Sequence, residues 1–230
     1  MTQTANLAKQ STEEEARHVA ESARQKVWRA PSFLKDLYLG SLNLDLLTPY
    51  PLVDKAGRPE FNAFFESFRE FVKENIDPNT IDESGEYPQA VIDGLKELGA
   101  FGMKVPTEYG GLGLSQVEYN QVMEFIGGLD ANITALLSAH QSIGVPQPIK
   151  LFGTSEQKEN YLRRCAKGAI SAFALTEPSV GSDPSSLSTT AVAAPDGDGY
   201  ILNGTKLWCT NGTLAELIVV MAAHPETKRI

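Results

Sequence analysis

The sequence has 230 residues, is 42% hydrophobic and carries a formal net charge of −9, which suits one large folded domain or two small ones. The acidic balance disfavours nucleic-acid binding, because phosphate backbones attract positively charged surfaces. Two cysteines, Cys165 and Cys209, are too few for a disulfide framework or a zinc site, and they indicate a reducing compartment.

The N-terminal segment, residues 1–30, is polar and has no apolar core of a secretory signal. Ser11 and Glu14 have the spacing of a helix-capping pair, so we expect a partly ordered helix here. Three consecutive glutamates from Glu13 disfavour a transit peptide. The longest apolar run, at 217–223, is much shorter than the ~20 residues of a membrane-spanning helix. These features predict a soluble, cytoplasmic protein.

Aromatic residues recur at helical spacing after Pro59 and predict an amphipathic helix with a buried face. The residues on this face are Phe61, Phe64, Phe65, Phe68, Phe71 and Val72. We expect Phe61, Phe65 and Phe68 to lie in the core, together with Leu95 of the following helix. Asp77-Pro78 ends the first helix, and the second runs from Pro88 to a glycine cap at Gly99.

Further helices are predicted near 115–127 and 131–142, and another from Thr154, where Gln157 completes a capping box, to Gly168. The glycine-rich stretch 110–113 lacks the lysine and hydroxyl residue of a phosphate-binding loop, so we interpret it as a tight connection between helices. The chain is therefore divided into an N-terminal extension, 1–58, and a helical domain, 59–168.

After Gly168 the hydrophobic period changes from about four to two, which predicts antiparallel strands. Five strands are expected, at 170–175, 189–194, 200–202, 206–210 and 217–222, with glycine turns between them. The fold class is then α+β, with residues 169–230 beginning a β-domain. Five strands without a covering layer leave open edges, so we expect a truncated chain that self-associates when isolated.

Two segments carry the clearest chemical signal, Phe173–Asp183 and Asn203–Gly212. Gly181 and Ser182 offer a close backbone approach and a hydroxyl to an anion such as a pyrophosphate. Trp208 and Thr210, two apart on the predicted strand, offer an aromatic plane and a hydroxyl on one face. The alternative is an ordinary β-hairpin with a buried tryptophan.

Two other residues have ordinary structural interpretations. His140 follows the apolar face of the predicted 131–142 helix, so a hydrogen-bonded interior histidine is expected rather than a catalytic one. Cys209, in the predicted strand 206–210, is expected to be an inert buried thiol. We find no metal-ligand spacing and no nucleophile elbow in the sequence.

The same two segments resemble the first signature of the acyl-CoA dehydrogenase family. Stretches at 94–102, 106–113, 139–144 and 151–158 are similar to that family as well, and the resemblance covers about residues 31–224. The leading stretch up to the Thr-Pro-Tyr-Pro at 48–51 resembles the very-long-chain branch.

The resemblance implies an FAD site between a helical domain and a β-domain. Phe173, Leu175 and Thr176 would lie along the isoalloxazine, Ser182 near the pyrophosphate and the CoA end of the substrate, and Trp208 with Thr210 against the flavin ring. The full set of implied cofactor-binding residues is Phe173, Leu175, Thr176, Gly181, Ser182, Trp208, Cys209 and Thr210. The family's glutamate base falls beyond residue 230, so no catalytic residue is assigned.

The resemblance further implies α,β-dehydrogenation of medium to very long fatty acyl-CoA thioesters in β-oxidation. The implied partners are acyl-CoA as the substrate, an electron-transferring flavoprotein, and further copies of the full-length chain in a homo-oligomer. Peripheral membrane contact is expected only through a region beyond residue 230, and the isolated chain is expected to lack turnover. The alternatives are a flavin oxidase or monooxygenase of the same fold, and a non-catalytic assembly protein.

Overall fold

The computed structural model describes residues 31–50, 58–197 and 199–226. The chain divides into two units, residues 1–51 and 52–230. In the first unit, helix α1 (Phe33–Tyr38) is capped by the Ser32 side chain, and Leu44–Leu46 forms a 3-10 turn. The helix predicted from Ser11 and Glu14 lies outside the described residues.

The second unit is mainly helical up to residue 166. Its helices are α2 (Pro59–Asn75), α3 (Pro78–Ser84), α4 (Gln89–Glu97), α5 (Gln116–Gly127), α6 (Ala131–Ser138), α7 (Pro146–Phe152), α8 (Ser155–Gln157) and α9 (Arg163–Ala166). A π-helical turn, Ala139–Ile143, continues α6, and a second one, Lys158–Leu162, joins α8 to α9. Short 3-10 turns occupy Ala100–Gly102, Thr107–Tyr109 and Pro184–Ser186.

The predicted aromatic face of α2 forms part of the main hydrophobic core. Phe61 and Phe68 are buried there with Leu95, as predicted. Phe65 was also expected in the core, but it is half-buried and only packs against it. The Arg69 guanidinium lies 5.5 Å from the centre of the Phe65 ring, so this ring sits at the boundary between the core and the surface.

Local signals in the sequence account for the ends of several helices. Ser115 and Glu118 form a capping box at α5, and Thr154 and Gln157 form the predicted one at α8. The backbone of Gly99 has a φ of 74°, which a glycine adopts without strain after α4. Helices α3 and α7 were not predicted, because their first residues, Pro78 and Pro146, resemble helix breaks.

The glycine-rich stretch 110–113 is a tight connection, as predicted. A Cβ atom added to Gly111 would lie 2.1 Å from the carbonyl oxygen of Val105. The backbone nitrogens of Leu112 and Leu114 donate to the carbonyls of Gly102 and Met103, at 2.9 and 2.8 Å. The stretch is therefore folded back against the loop that precedes it.

Four strands are present in the described part of the chain, and they form two pairs. They are β1 (Ser171–Ala174), β2 (Thr190–Ala193), β3 (Tyr200–Asn203) and β4 (Leu217–Val220). The prediction of antiparallel pairing is correct for β2 with β3, where Thr190 faces Asn203. It is wrong for β1 and β4, which pair in parallel with Ser171 opposite Leu217. Side chains of Leu217 and Val219 pack against a small apolar cluster around Val145 and Leu162.

The predicted strand at 206–210 is absent from the structure. Lys206–Cys209 follow an irregular path that leads into a turn at Thr210. Trp208 and Asn211 have left-handed backbones, with φ values of 55° and 68°, and such a conformation interrupts a strand. Among the described residues, no helix is both long enough and apolar enough to cross a membrane.

Candidate functional site

Two predicted segments lie side by side at the end of β1. The backbone nitrogen of Leu207 donates to the carbonyl oxygen of Thr176 at 2.8 Å. The Sγ atom of Cys209 donates to the carbonyl oxygen of Phe173 at 3.4 Å. The segments 173–176 and 206–210 therefore form one continuous surface, although only the first begins in a strand.

Trp208 projects from this surface instead of packing into the protein. Its side chain is 88% exposed, which contradicts the alternative of a β-hairpin with a buried tryptophan. Thr210 is also exposed, and its backbone nitrogen donates to the carbonyl oxygen of Trp208 at 3.1 Å. The prediction that Trp208 and Thr210 share a strand face is wrong, because the left-handed backbone at Trp208 breaks the alternation of sides.

Phe173, Leu175 and Thr176 are half-buried, so each leaves part of its surface accessible. Cys209 is half-buried as well and lies outside any strand, which corrects the expectation of a buried thiol in a strand. A half-buried apolar floor beside an exposed indole suits a flat ring that is apolar on its faces and polar at its edge.

Glu177 follows this floor and is held by several donors. Its carboxylate accepts hydrogen bonds from Lys206 Nζ at 2.8 Å and from the backbone nitrogens of Ser188 and Thr189 at 2.7 and 2.9 Å. The Ser188 hydroxyl donates to the same carboxylate. These contacts, with Lys206 first, hold the pKa of the Glu177 carboxyl well below its usual range, so Glu177 stays ionised.

Gly181 and Ser182 follow a tight turn at Pro178. Glu177 and Val180 close this turn with two backbone hydrogen bonds, of 3.0 and 3.1 Å. A Cβ atom added to Gly181 would meet no atom within 4 Å, and Ser182 is exposed. The backbone at Gly181 is therefore open to approach from outside, as a phosphate group requires.

We define residues 206–211 as the Trp208 segment. Asn211 holds the C-terminal end of this segment by hydrogen bonds. Its amide Nδ2 donates to the carbonyl oxygens of Leu136 and Ser171, at 3.0 and 3.2 Å. Asn211 is buried, and these bonds connect the segment to helix α6 and to strand β1.

His140 lies beneath the site and is an interior structural residue, as predicted. Its Nε2 atom lies 2.9 Å from the carbonyl oxygen of Phe101, and the backbone nitrogen of Ser171 donates to its Nδ1 at 3.0 Å. Because a backbone N–H can only donate, Nδ1 carries no proton and Nε2 donates to Phe101. Burial lowers the pKa of His140 to about 4, although the Phe101 carbonyl opposes this shift.

Three residues of the site were not found by sequence reasoning: Glu177, Lys206 and Asn211. Glu177 precedes the proline at which the predicted strand breaks, and nothing in its sequence position indicates a role. Lys206 lies far from it along the chain, so no spacing rule connects them. Asn211 stands before a glycine, which is a common turn signal, and its side-chain bonds depend on the position of α6.

The chemistry of these residues fits a flavin dinucleotide. Trp208 supplies an accessible aromatic plane, and Phe173 and Leu175 supply an apolar floor. Ser182 and Thr210 supply exposed hydroxyls, and Gly181 supplies an unobstructed backbone. A planar ring and a diphosphate need these two kinds of surface.

Two family models match most of the chain. The model described as acyl-CoA dehydrogenase, N-terminal domain, matches residues 58–169, and the acyl-CoA dehydrogenase middle domain matches residues 172–230. The candidate residues all lie in the second match, whereas His140 lies in the first.

Individual proteins agree with the family models. The chain is 50% identical over 219 residues to the probable acyl-CoA dehydrogenase FadE10 of Mycobacterium tuberculosis, covering 95% of this chain and 34% of that protein. It is 44% identical over 208 residues to the mitochondrial very long-chain specific acyl-CoA dehydrogenase of Rattus norvegicus, covering 89% and 32%. The chain therefore spans about a third of the length of these curated relatives.

A solved structure shows the same fold. An acyl-CoA dehydrogenase from Bacillus anthracis, complexed with FAD, superposes with a TM-score of 0.63 and 34% identity. The match covers 72% of this chain and 29% of that chain. The α+β fold class predicted for this sequence is thus confirmed.

Proposed function

The chain belongs to the acyl-CoA dehydrogenase family, and we propose that it forms the flavin-facing part of an FAD-dependent acyl-CoA dehydrogenase. The observation that carries this proposal is the arrangement of segments 173–176 and 206–210. The Leu207 backbone donates to the Thr176 carbonyl, and Trp208, the next residue, is 88% exposed. Covering a large exposed aromatic side chain with a flat ligand removes apolar surface from water and therefore favours binding.

Each candidate residue has a separate role in this proposal. Phe173, Leu175 and Thr176 form the wall along the isoalloxazine, and Trp208 with Thr210 lies against the ring. Cys209 supports this wall through its contact with the Phe173 carbonyl. The open backbone at Gly181 and the Ser182 hydroxyl receive the pyrophosphate, and Ser182 also faces the CoA end of the substrate.

When bound, FAD supplies the hydride acceptor for oxidation of the Cα–Cβ bond of an acyl thioester. The residues described above bind and orient it, and they shield one side of the ring from water. Glu177 is the carboxylate that directly follows Thr176 in the sequence, but it is a poor base. Its pKa is held low by Lys206, Ser188 and Thr189, which occupy its oxygens. We therefore assign removal of the α-proton to none of the candidate residues.

The substrate class in this proposal is a medium to very long fatty acyl-CoA of β-oxidation. Two named relatives support it, because one is a probable acyl-CoA dehydrogenase and another is specific for very long chains. An electron-transferring flavoprotein is the proposed acceptor, and association of full-length copies is part of the same proposal.

The test uses the full-length protein and measures how much FAD it keeps after gel filtration, and its visible absorption spectrum. We expect Trp208→Ala to lose most of the flavin and to shift the spectrum of the remainder. Phe152→Ala is the matched control, because Phe152 is an aromatic residue of α7 with a similar exposure of 84%. The control should retain flavin like the wild type.

Unchanged flavin content and spectrum in Trp208→Ala would refute the assignment of Trp208. Rapid reoxidation of the reduced flavin by oxygen would favour the flavin oxidase alternative. A complete wild-type protein that binds no flavin would favour the non-catalytic assembly protein.

A further inference from the structure

The Trp208 segment contains two residues with a left-handed backbone conformation. Trp208 has a φ of 55° and Asn211 a φ of 68°. Asparagine tolerates this region well, but a bulky aromatic residue seldom occupies it. Such a residue keeps a left-handed backbone only where the surrounding structure determines it.

The N-terminal end of the segment is fixed by Lys206. Its ammonium group donates to the carbonyl oxygen of Leu175 at 3.0 Å and to Glu177 Oε1 at 2.8 Å. The Lys206 side chain is 12% exposed and that of Glu177 is fully buried. Because Glu177 is itself held by Ser188 and Thr189, Lys206 is anchored to a rigid acceptor.

The C-terminal end is fixed by Asn211. Its buried amide donates to two carbonyl oxygens on different elements, that of Leu136 in α6 and that of Ser171 in β1. The anchors at Lys206 and Asn211 thus bracket Trp208 on both sides. Between them, Leu207 is held by its backbone bond to Thr176.

We propose that Lys206 and Asn211 are positioning residues, which hold Trp208 in its left-handed conformation so that the indole is presented to the ligand before binding. Neither side chain needs to touch the ligand. Trp208 is otherwise free to relax to an extended backbone, which would turn the indole away from the surface formed by 173–176. The inference rests on the proposed function only for the identity of the ligand, FAD.

The first measurement follows Trp208 without any flavin. The chain has two tryptophans, so Trp28→Phe leaves Trp208 as the sole site for fluorotryptophan labelling and fluorine NMR. Asn211→Asp is nearly isosteric, but it replaces the amide donor with a carboxylate facing two carbonyl oxygens. Lys206→Met removes the ammonium group from a chain of similar length. Matched controls are Asn203→Asp and Lys73→Met, which make the same changes at exposed positions.

We expect one sharp resonance in the Trp28→Phe background and in both controls. Asn211→Asp and Lys206→Met should shift or broaden it, and Lys206→Arg should restore most of it. FAD binding should weaken roughly tenfold in Asn211→Asp and Lys206→Met, the loss that corresponds to the cost of one left-handed non-glycine residue. Circular dichroism verifies that each variant is folded.

Asn211→Gly provides a second test should Asn211→Asp fail to fold, because glycine accepts the left-handed backbone but lacks the amide. Unchanged Trp208 resonances in folded Lys206→Met and in folded Asn211→Asp or Asn211→Gly overturn the inference. Failure of the full-length wild type to bind FAD instead overturns the proposed function, and the fluorine spectra of the flavin-free chain still decide the role of Lys206 and Asn211.

Discussion

His140 makes the stability of this protein depend on pH between about 4 and 6.5. The imidazole is fully buried, and Ser171 donates its backbone N–H to the Nδ1 atom at 3.0 Å. Protonation of Nδ1 would set two N–H groups against each other and would place a charge in the core. The folded protein therefore keeps the His140 ring neutral.

The magnitude follows from the difference between two pKa values. Burial lowers the pKa of His140 from the usual 6.5 to about 4 in the folded state. The unfolded chain therefore takes up a proton first as the pH falls, so stability is complete above pH 6.5 and decreases toward pH 4. At about 1.4 kcal/mol per pH unit, the full loss of unfolding free energy is about 3 kcal/mol.

The assay is urea unfolding of the wild type and of His140→Gln between about pH 7.5 and about pH 5. Glu177, whose pKa is also lowered, loses its contribution only below the usual carboxyl value of 4.5, outside this interval. We expect the wild type to lose about 2 kcal/mol by pH 5, and His140→Gln to lose much less. His224→Gln, at an exposed histidine, should follow the wild type. Parallel pH profiles of the wild type and His140→Gln would refute this account.

Two further predictions concern packing. Phe68 is fully buried in the aromatic core, so Phe68→Ala should lower the unfolding free energy by ~3–5 kcal/mol, whereas exposed Phe152→Ala should change it little. An effect below ~1 kcal/mol for Phe68→Ala in chemical unfolding would mean that this core is loosely packed. Gly111→Ala should cost ~1–3 kcal/mol because the new methyl meets the Val105 carbonyl, whereas Gly181→Ala has open space. Equal unfolding midpoints for Gly111→Ala and Gly181→Ala would contradict this contrast.

The helical part of the fold was largely predictable because its signals are local. The aromatic face of α2 and the capping boxes at Ser115 and Thr154 depend on residues three or four apart. Helix α7 was missed because Pro146 resembles a helix break, although it lies at the first position of the helix, where proline is compatible with helical structure. The π-helical turn after α6 has no sequence signal that separates it from an ordinary helix.

The β part and the site depended on contacts that sequence spacing does not contain. Alternation at 206–210 resembles a strand, yet Lys206 and Asn211 hold this segment in another conformation through partners on distant elements. Parallel pairing of β1 with β4 was missed because the turns between strands suggested successive hairpins. Some candidate residues, such as Gly181 and Trp208, came from residue chemistry and others from the family resemblance, whereas the residues that fix them became visible only in the structure.

The parallel pairing of β1 with β4 closes a long loop, and nearly all of the candidate site lies in this loop. Parallel partners cannot be joined by a hairpin, and the chain from Leu175 to Glu216 leaves β1 and returns to it at β4. Every candidate residue except Phe173 lies within this excursion. Closing this loop costs chain entropy, and the free energy of pairing β1 with β4 offsets that cost.

Assembly of the site is therefore cooperative with the pairing of strands that contribute almost none of its residues. The amide of Leu207, bonded to Thr176, should exchange with solvent together with the amides of β4 rather than with those of the β2–β3 pair. Binding free energy gained at Trp208 would in turn stabilise the junction of β1 and β4. A ligand at this surface would therefore stabilise the closed loop in addition to the pairing of β1 with β4.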